Sequence, residues 1–311
     1  MPRCRAAIHQ NTLMKMVFIM AASSRKIAYQ GEPGANSHQA CIEACPHHEP
    51  FACRTFEDAF AAVASGEAGL AMIPIDNTVA GRVADIHHLM PASDLFITGE
   101  HFLRVRHQLL VLPGTKPEDL KRVTSHTHAL GQCRRLTADM GLEAVAAVDT
   151  AGAAAALAQS GDRSTAVIAS KKAAEIYGLE VMRADIEDED HNTTRFVIMS
   201  AEPDDAAPED APVITSFIFT VRNVPAALFK AMGGFATNGV NMIKLESYVD
   251  GSFNVAQFYA DIEGHPQDRP VRLALEELDF FTKSLRVLGV YKSSPHRLEL
   301  AKRREEMDTT A

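Results

Sequence analysis

The stretch 94-DLFITGEHFLRVRHQLLVLPG-114 decides the fold. It reads as extended chain with no helical period, and it interrupts a text that otherwise alternates short apolar runs with helical ones. Before it, "KIAYQG" (26–31), "FACRTF" (51–56) and "GLAMIPID" (69–76) read as strands, with helices over "SHQACIEAC" (37–45) and "FEDAFAAVASG" (56–66). After it come strands "RVTSH" (122–126), "EAVAAVDT" (143–150) and "TAVIAS" (165–170), with helices over "HALGQCRRLTADMG" (128–141) and "AGAAAALAQSG" (151–161). Such alternation implies α/β architecture with largely parallel sheets. A strand-like interruption is what a chain crossing between two α/β lobes shows, and the cleft between lobes is a natural ligand site.

Beyond "FVIMSA" (196–201), the run "EPDDAAPEDAP" (202–212) is Pro, Ala and acid without apolar period, which makes it a linker. The pattern then restarts as strand 213–223, helix 225–239, strands 240–251 and 252–264, helix 268–282 and strand 284–292. That order is β-α-β-β-α-β, the ferredoxin-like split arrangement. The domains expected are therefore 26–201, two lobes with crossings near 95–112 and 187–195, and 213–292, with 202–212 between them and a charged tail over 293–311. Residues 1–25 read as a leader: "MKMVFIMAASS" mimics a weak signal peptide, but a start at Met14, Met16 or Met20 fits its minimal apolar run better.

With 311 residues, 46% of them hydrophobic, the chain can fill two cores, and its net charge of −9 argues against nucleic acid or an anionic membrane as partner. An anionic small substrate remains compatible, because local cations can override the global sign. The cysteines Cys4, Cys41, Cys45, Cys53 and Cys133 are odd in number and lack framework spacing, which favours a reducing, cytoplasmic location. No apolar run reaches transmembrane length.

Several constellations carry possible chemistry. In "YQGEPGANSH" (29–38), Gly31 and Gly34 allow close backbone approach and Ser37 opens a helix, which suits an anion but suits an ordinary strand-to-helix turn more readily. Asp76, Asn77 and Thr78 end a buried strand, where α/β sheets bind ligands and where helices are also capped. Ser125 and His126 follow another strand, and His126 is open to a capping, orienting or general-base role. Cys41, Cys45, His47, His48 and Cys53 match no standard zinc spacing, so Cys41 and Cys45 read as a core-facing pair and no metal is expected. In "HNTTRF" (191–196), Arg195 suits a bidentate grip on a carboxylate and a threonine hydroxyl suits donation to a leaving oxygen; a hydrogen-bonded loop closing the lobe is the alternative.

Four strings in order, "YQGEPGANSHQA", "IPIDNTVAGRV", "SHTHALGQC" and "NTTRF", together resemble the prephenate dehydratase family over roughly residues 26–200. Residues 213–291 resemble an ACT regulatory domain, with "VRNVPAAL" and "KLESYV" standing where that domain has N-x-P-G-A-L and I-E-S-R-P. Asp76 replaces the usual Glu, Thr78 the usual Ser, Thr127 and His128 the usual Pro-Gln, Ala226 a Gly, and Tyr248 and Val249 an Arg-Pro. The resemblance implies a two-lobed fold like type II periplasmic binding proteins, with prephenate bound between lobes and no cofactor. It implies catalytic roles for Thr194, Asn192 and Arg195, and substrate contacts from Gly34, Ser37, Asp76, Asn77, Thr78, Ser125 and His126.

Prephenate must lose hydroxide and CO2, so Thr194 is expected as an oriented donor to the leaving oxygen. Arg195, with Ser37 and Asn77, is expected to grip the pyruvyl carboxylate, while the ring carboxylate sits where it is drier. The ACT resemblance implies feedback by phenylalanine at Asn223, Ala226, Ala227, Leu228, Glu246 and Ser247, in a homodimer or homotetramer. Arogenate dehydratase, and a non-catalytic two-lobed binding protein, are the alternatives.

Overall fold

The computed structural model describes residues 25–83, 86–210, 212–222, 224–249, 255–300 and 302. The leader before residue 25, Asn223 and most of the tail beyond 300 lie outside these residues. The chain opens with β1 (Lys26–Gln30), α1 (Asn36–Ala44), β2 (Glu49–Cys53), α2 (Phe56–Ala64), β3 (Leu70–Asn77), β4 (Gly81–Arg82), α3 (Ile86–Ala92) and β5 (Phe96–Arg104). It continues with β6 (Gln108–Val111), β7 (Arg122–His126), α4 (Thr127–Gly131), α5 (Arg134–Asp139), β8 (Glu143–Ala147), α6 (Thr150–Ser160), β9 (Thr165–Ala169), α7 (Lys171–Tyr177), β10 (Glu180–Arg183) and β11 (Thr193–Ser200). The last elements are β12 (Val213–Val221), α8 (Ala227–Thr237), β13 (Met242–Val249), β14 (Val255–Glu263), α9 (Arg269–Phe281) and β15 (Thr282–Lys292).

The first sheet has the order β2-β1-β3-β11-β5, with β4 paired to β3, and the second has β10-β6-β9-β7-β8. The chain leaves the first sheet after β5, enters the second at β6, and returns through β11. The βαβ segments are parallel, β1 to β2 and β3, and β7 to β8 and β9. Where the crossing and return strands join the second sheet, pairing is antiparallel, β6 to β9 and β10. Strand alternation supplies both faces of that sheet: Leu109, Val111 and Ile168 pack with α4 and α5, while Leu110, Val167 and Ala169 pack with α6 and α7. Burying each such side chain contributes about 1.5–3 kcal/mol.

Three sequence expectations are corrected. The second strand starts at Glu49 and stops at Cys53, because Thr55 is already a helix cap: its Oγ1 accepts from Asp58 N, and Asp58 answers by accepting from Thr55 N. The helix expected over 128–141 is two helices broken at Gln132–Cys133. Asp188 stabilises the break by accepting from the N–H groups of Arg134 and Arg135, which the second helix would otherwise leave without partners. Helix α7 and strand β10 come in addition to the expected elements; Ser170 caps α7 by accepting from Ala173 N, and Gly178 ends it in the left-handed region.

Among the described residues, those up to Ile86 with Phe102–Phe196 form one compact unit, and His87–His101 with those from Val197 onward form another. In the second unit, β12 to β15 make an antiparallel sheet of order β13-β14-β12-β15, as the β-α-β-β-α-β pattern requires. Its helix-facing side is an aromatic core of Phe217, Phe219, Phe235 and Phe258. Elsewhere in this unit Gly289 lies so close to Ile97 that a Cβ there would come 1.8 Å from the Ile97 carbonyl oxygen. Arg286 donates to the carbonyls of Ser93 and Leu95, and Arg297 grips the Glu100 carboxylate with two bonds of 2.7 and 2.9 Å. The stretch read as a linker is bonded to β15 through Val290, whose N–H donates to Asp205 and whose carbonyl accepts from Ala206.

Candidate active site

Within the first unit a cleft of about 410 Å³ lies between the two sheets. Asn77, at the end of β3, and Asn192, Thr194 and Phe196, on and just before β11, line it from the first sheet. Asn36 and Ser37 open α1 on the same side, and Val105 and His107 line it from the crossing. The second lobe supplies His126, His128, Gln132 and Asp149. The rim thus combines the carboxyl ends of β1, β3 and β7 and the amino ends of helices, where α/β sheets bind ligands, with the amino end of the return strand β11.

The period of two along β11 sorts the "HNTTRF" residues. Asn192, Thr194 and Phe196 face the cleft, so Thr193 and Arg195 face away. Arg195 is only 5% exposed, and its Nη1 stands 3.9 Å from Asp76 Oδ2. A guanidinium on that face does not line the cleft, which corrects the expected carboxylate grip. Thr194 is half-buried at the cleft wall rather than sealed in a core.

Hydrogen-bond polarity in the cleft follows from two backbone donors. Val79 N and Ala80 N both donate to Asn77 Oδ1, at 2.9 and 2.7 Å, so the other end of that amide is nitrogen. Asn77 Nδ2 then donates to Asn192 Oδ1 at 2.8 Å and to Thr194 Oγ1 at 2.9 Å. Asn192, 1% exposed, is oriented in turn and donates from Nδ2 to Gln132 Oε1 at 2.8 Å. His107 Nε2 lies 2.7 Å from the same oxygen and must carry a proton to meet it. Thr194 Oγ1 accepts from the Asn77 amide at the cleft wall and keeps its own O–H as a donor.

One helix start at the cleft is open to an anion. Ala35, the residue before α1, offers no side-chain cap, so the first N–H groups of that helix are left for a ligand beside Ser37. The three other helix starts at the cleft are occupied: Thr55 Oγ1 accepts from Asp58 N at 3.1 Å, Asp149 from Gly152 N at 2.6 Å, and His126 Nδ1 from His128 N at 3.3 Å. Burial, then the neighbouring His128, pushes the His126 imidazole below its ordinary range, and burial does the same to His107.

Other expected site residues do different work. Gly34, at φ +93°, has no room for a Cβ, which would lie 2.7 Å from Ala173 Cα. Its carbonyl accepts from Ser170 Oγ and that of Pro33 from Tyr177, so Gly34 ties the lobes together while Gly31 and Ala35 of the same loop line the cleft. Thr78 Oγ1 donates to His191 O and accepts from Thr193 N, lacing β3 to the start of β11. Ser125 is fully buried and donates to Ile168 O, which aligns β7 with β9. Asp76 faces Arg195, as above. Ala226 stands at φ 60° before Ala227 and Leu228 on α8, and Glu246 pairs with Lys244 at 2.9 Å beside exposed Ser247. Thr220 and Tyr248 both lie opposite Gln257, so the Ala226 loop and Ser247 share one end of the last sheet; Asn223 lies outside the described residues.

Sequence reasoning misses His107 and Gln132 as site residues. Gln132 belongs to the string "SHTHALGQC", where the sequence pattern makes it helix interior. His107 belongs to the crossing stretch, whose pattern reports strand character alone. Among the described residues no helix is long and apolar enough to cross a membrane, and no group of three or more His, Cys, Asp or Glu is arranged to hold a metal ion.

Comparison with known proteins adds the following. Residues 27–204 match the family model described as prephenate dehydratase. The chain is 47% identical over 274 residues to a bifunctional N-acyl-homoserine lactone acylase/prephenate dehydratase of Komagataeibacter europaeus, covering 88% of this chain and 98% of that one. It is 38% identical to arogenate dehydratase/prephenate dehydratase 1, chloroplastic, of Arabidopsis thaliana, covering 86% of this chain and 72% of the relative. The prephenate dehydratase of Arthrobacter aurescens, solved in complex with L-Phe, superposes with a TM-score of 0.80 at 26% identity, covering 92% of this chain and 99% of that one.

Proposed function

The chain belongs to the prephenate dehydratase family of hydro-lyases, and from that premise we propose that it converts prephenate to phenylpyruvate with Thr194 as donor to the departing hydroxyl. The reaction takes prephenate dianion and one proton to phenylpyruvate anion, CO2 and water. The bond from the ring to its carboxylate breaks, its electron pair aromatises the ring, and the C–O bond opposite releases oxygen. Aromatisation supplies the drive, so the protein's task is to hold the substrate and to stabilise charge growing on the leaving oxygen.

The observation that supports this reading is the bond from Asn77 Nδ2 to Thr194 Oγ1 at 2.9 Å, which holds the hydroxyl oxygen at the cleft wall with its proton available to donate. A threonine hydroxyl is a poor acid, and amide donors do not relay protons, so Thr194 acts as a hydrogen-bond donor while water supplies the net proton. The pyruvyl carboxylate is assigned to the open start of α1 and to Ser37. The ring carboxylate is assigned to the apolar wall of Phe196, Val105 and Pro74, where loss of its charge is favoured. Arg195 with Asp76 holds β11 from behind.

In the same reading, residues 26–201 are the catalytic domain, 202–212 a linker and 213–292 an ACT domain that senses phenylalanine in a cytoplasmic homodimer or homotetramer. The L-Phe complex of the A. aurescens relative supports the effector. The Arabidopsis relative's name supports arogenate as an alternative substrate, and the K. europaeus relative's supports N-acyl-homoserine lactone hydrolysis as a second activity. Purified protein should form phenylpyruvate from prephenate faster than phenylalanine from arogenate, and phenylalanine should slow it. Absence of phenylpyruvate formation overturns the reading; unchanged rate and oligomer size on adding phenylalanine overturns the sensing role. Release of homoserine lactone from an N-acyl substrate tests the second activity.

A further inference from the structure

We infer that His107 is a positioning residue for this reaction, holding through Gln132 and Asn192 the Asn77 amide in its bond to Thr194 Oγ1 at the cleft wall. The inference rests on the reading of Thr194 as donor and extends it to a residue with no direct part in the chemistry.

His107 sits at the crossing between β5 and β6, only 4% exposed. Its backbone is held at both ends: its N–H donates to Glu187 Oε2 and its carbonyl accepts from Ile186 N, each at 2.9 Å. A buried imidazole needs a partner. This one meets Gln132, a cleft-lining side chain, at 2.7 Å. Gln132 Oε1 also receives Asn192 Nδ2, so one oxygen gathers donors from the crossing and from β11.

The chain of bonds is therefore anchored at two ends. At one end are the Val79 and Ala80 N–H groups, whose polarity is fixed by the backbone. At the other is the His107 Nε2–H. Between them every amide has one orientation only. Remove the His107 donor and Gln132 is held by Asn192 alone and can turn into the cleft. Asn192 then loses its fixed direction, and Asn77, whose polarity Val79 N and Ala80 N still hold, loses the second bond that sets its Nδ2 between Asn192 Oδ1 and Thr194 Oγ1.

The test is a double-mutant cycle in the full chain, with prephenate turnover as readout and a melting curve for each variant. Thr194→Val removes the donor and His107→Phe removes the far anchor. His107→Phe is expected to lower kcat by up to about 100-fold with KM little changed, the scale on which misplacement of a catalytic group costs rate. Introduced into Thr194→Val, it should lower the residual rate no further, because both changes act on one hydroxyl. A full additional loss in that background overturns the inference while leaving Thr194 as donor; near-normal turnover of Thr194→Val overturns the underlying reading instead.

Should His107→Phe fail to fold, the pair His107→Gln and His107→Asn carries the test. Gln places an amide donor where Nε2 stands, and Asn places it at the Nδ1 position. The inference requires the Gln variant to exceed the Asn variant in kcat by about tenfold, or about 1.4 kcal/mol. Equal rates in the two overturn it.

Discussion

Asn77→Asp inverts the polarity of the site with almost no change of shape. The new carboxylate keeps one oxygen for the N–H groups of Val79 and Ala80, now bonded at 2.9 and 2.7 Å. Its second oxygen falls where Nδ2 was, 2.8 Å from Asn192 Oδ1 and 2.9 Å from Thr194 Oγ1. Two acceptors then face each other across the first gap, and losing that bond costs about 1–3 kcal/mol of stability. Across the second gap the Thr194 hydroxyl turns to donate to the carboxylate and is lost to the substrate. Removing one donor from a developing oxyanion costs about 10²–10³ in kcat, roughly 2.7–4 kcal/mol. The variant should melt a few degrees low yet remain folded at 25 °C, with turnover of prephenate reduced by that factor. Its activity should rise as pH falls, because the protonated carboxyl donates again and frees the hydroxyl. Turnover at neutral pH within about threefold of the parent, a difference of under 1 kcal/mol in barrier, refutes the polarity argument.

Other consequences follow from the same geometry. Gly289→Ala drives a methyl to 1.8 Å from the Ile97 carbonyl oxygen, so the second unit should lose about 3 kcal/mol or more, read as a lowered melting temperature; an unshifted melt contradicts the contact. Ala226→Gly relieves a left-handed backbone at φ 60° and should stabilise by up to about 1 kcal/mol in chemical denaturation, with a loss of stability counting against it. His107 and His126 are held below the ordinary value of 6.5 by burial, so below that pH the unfolded chain binds more protons than the folded one. Their contribution is present above pH 6.5 and is lost as pH falls, so melting temperature should drop between pH 7 and 5, and His107→Gln should flatten the drop.

Much of the fold is legible in the sequence because period and order carry it. The strand-like run at 94–114 marks the crossing, and the spacing after residue 213 yields the β-α-β-β-α-β unit. Local competition is what sequence pattern does not report. The helix expected over 128–141 breaks because Asp188, more than fifty residues away, caps the second half, and no local pattern reveals that partner. At the candidate site, "HNTTRF" names a segment that lines the cleft but not its faces. The strand period of two, counted from Asn192 and Thr194, turns Arg195 away from the cleft, and a bidentate grip on a carboxylate ignores that period. Gly34 and Ser125 lie beside the cleft in the chain's motifs, whereas their work is to join elements behind it. His107 carries no motif, and its proposed role depends on a hydrogen bond to Gln132, twenty-five residues on, that sequence spacing does not encode.

The central claim concerns the hydroxyl at position 194, and comparing Thr194→Ser with Thr194→Val tests it most directly. Serine keeps the donor and valine keeps the shape. With prephenate saturating and both variants melting like the parent, the serine form should stay within about tenfold of normal turnover and the valine form should lose about 100-fold or more. A valine form that turns over prephenate as fast as the serine form contradicts the account.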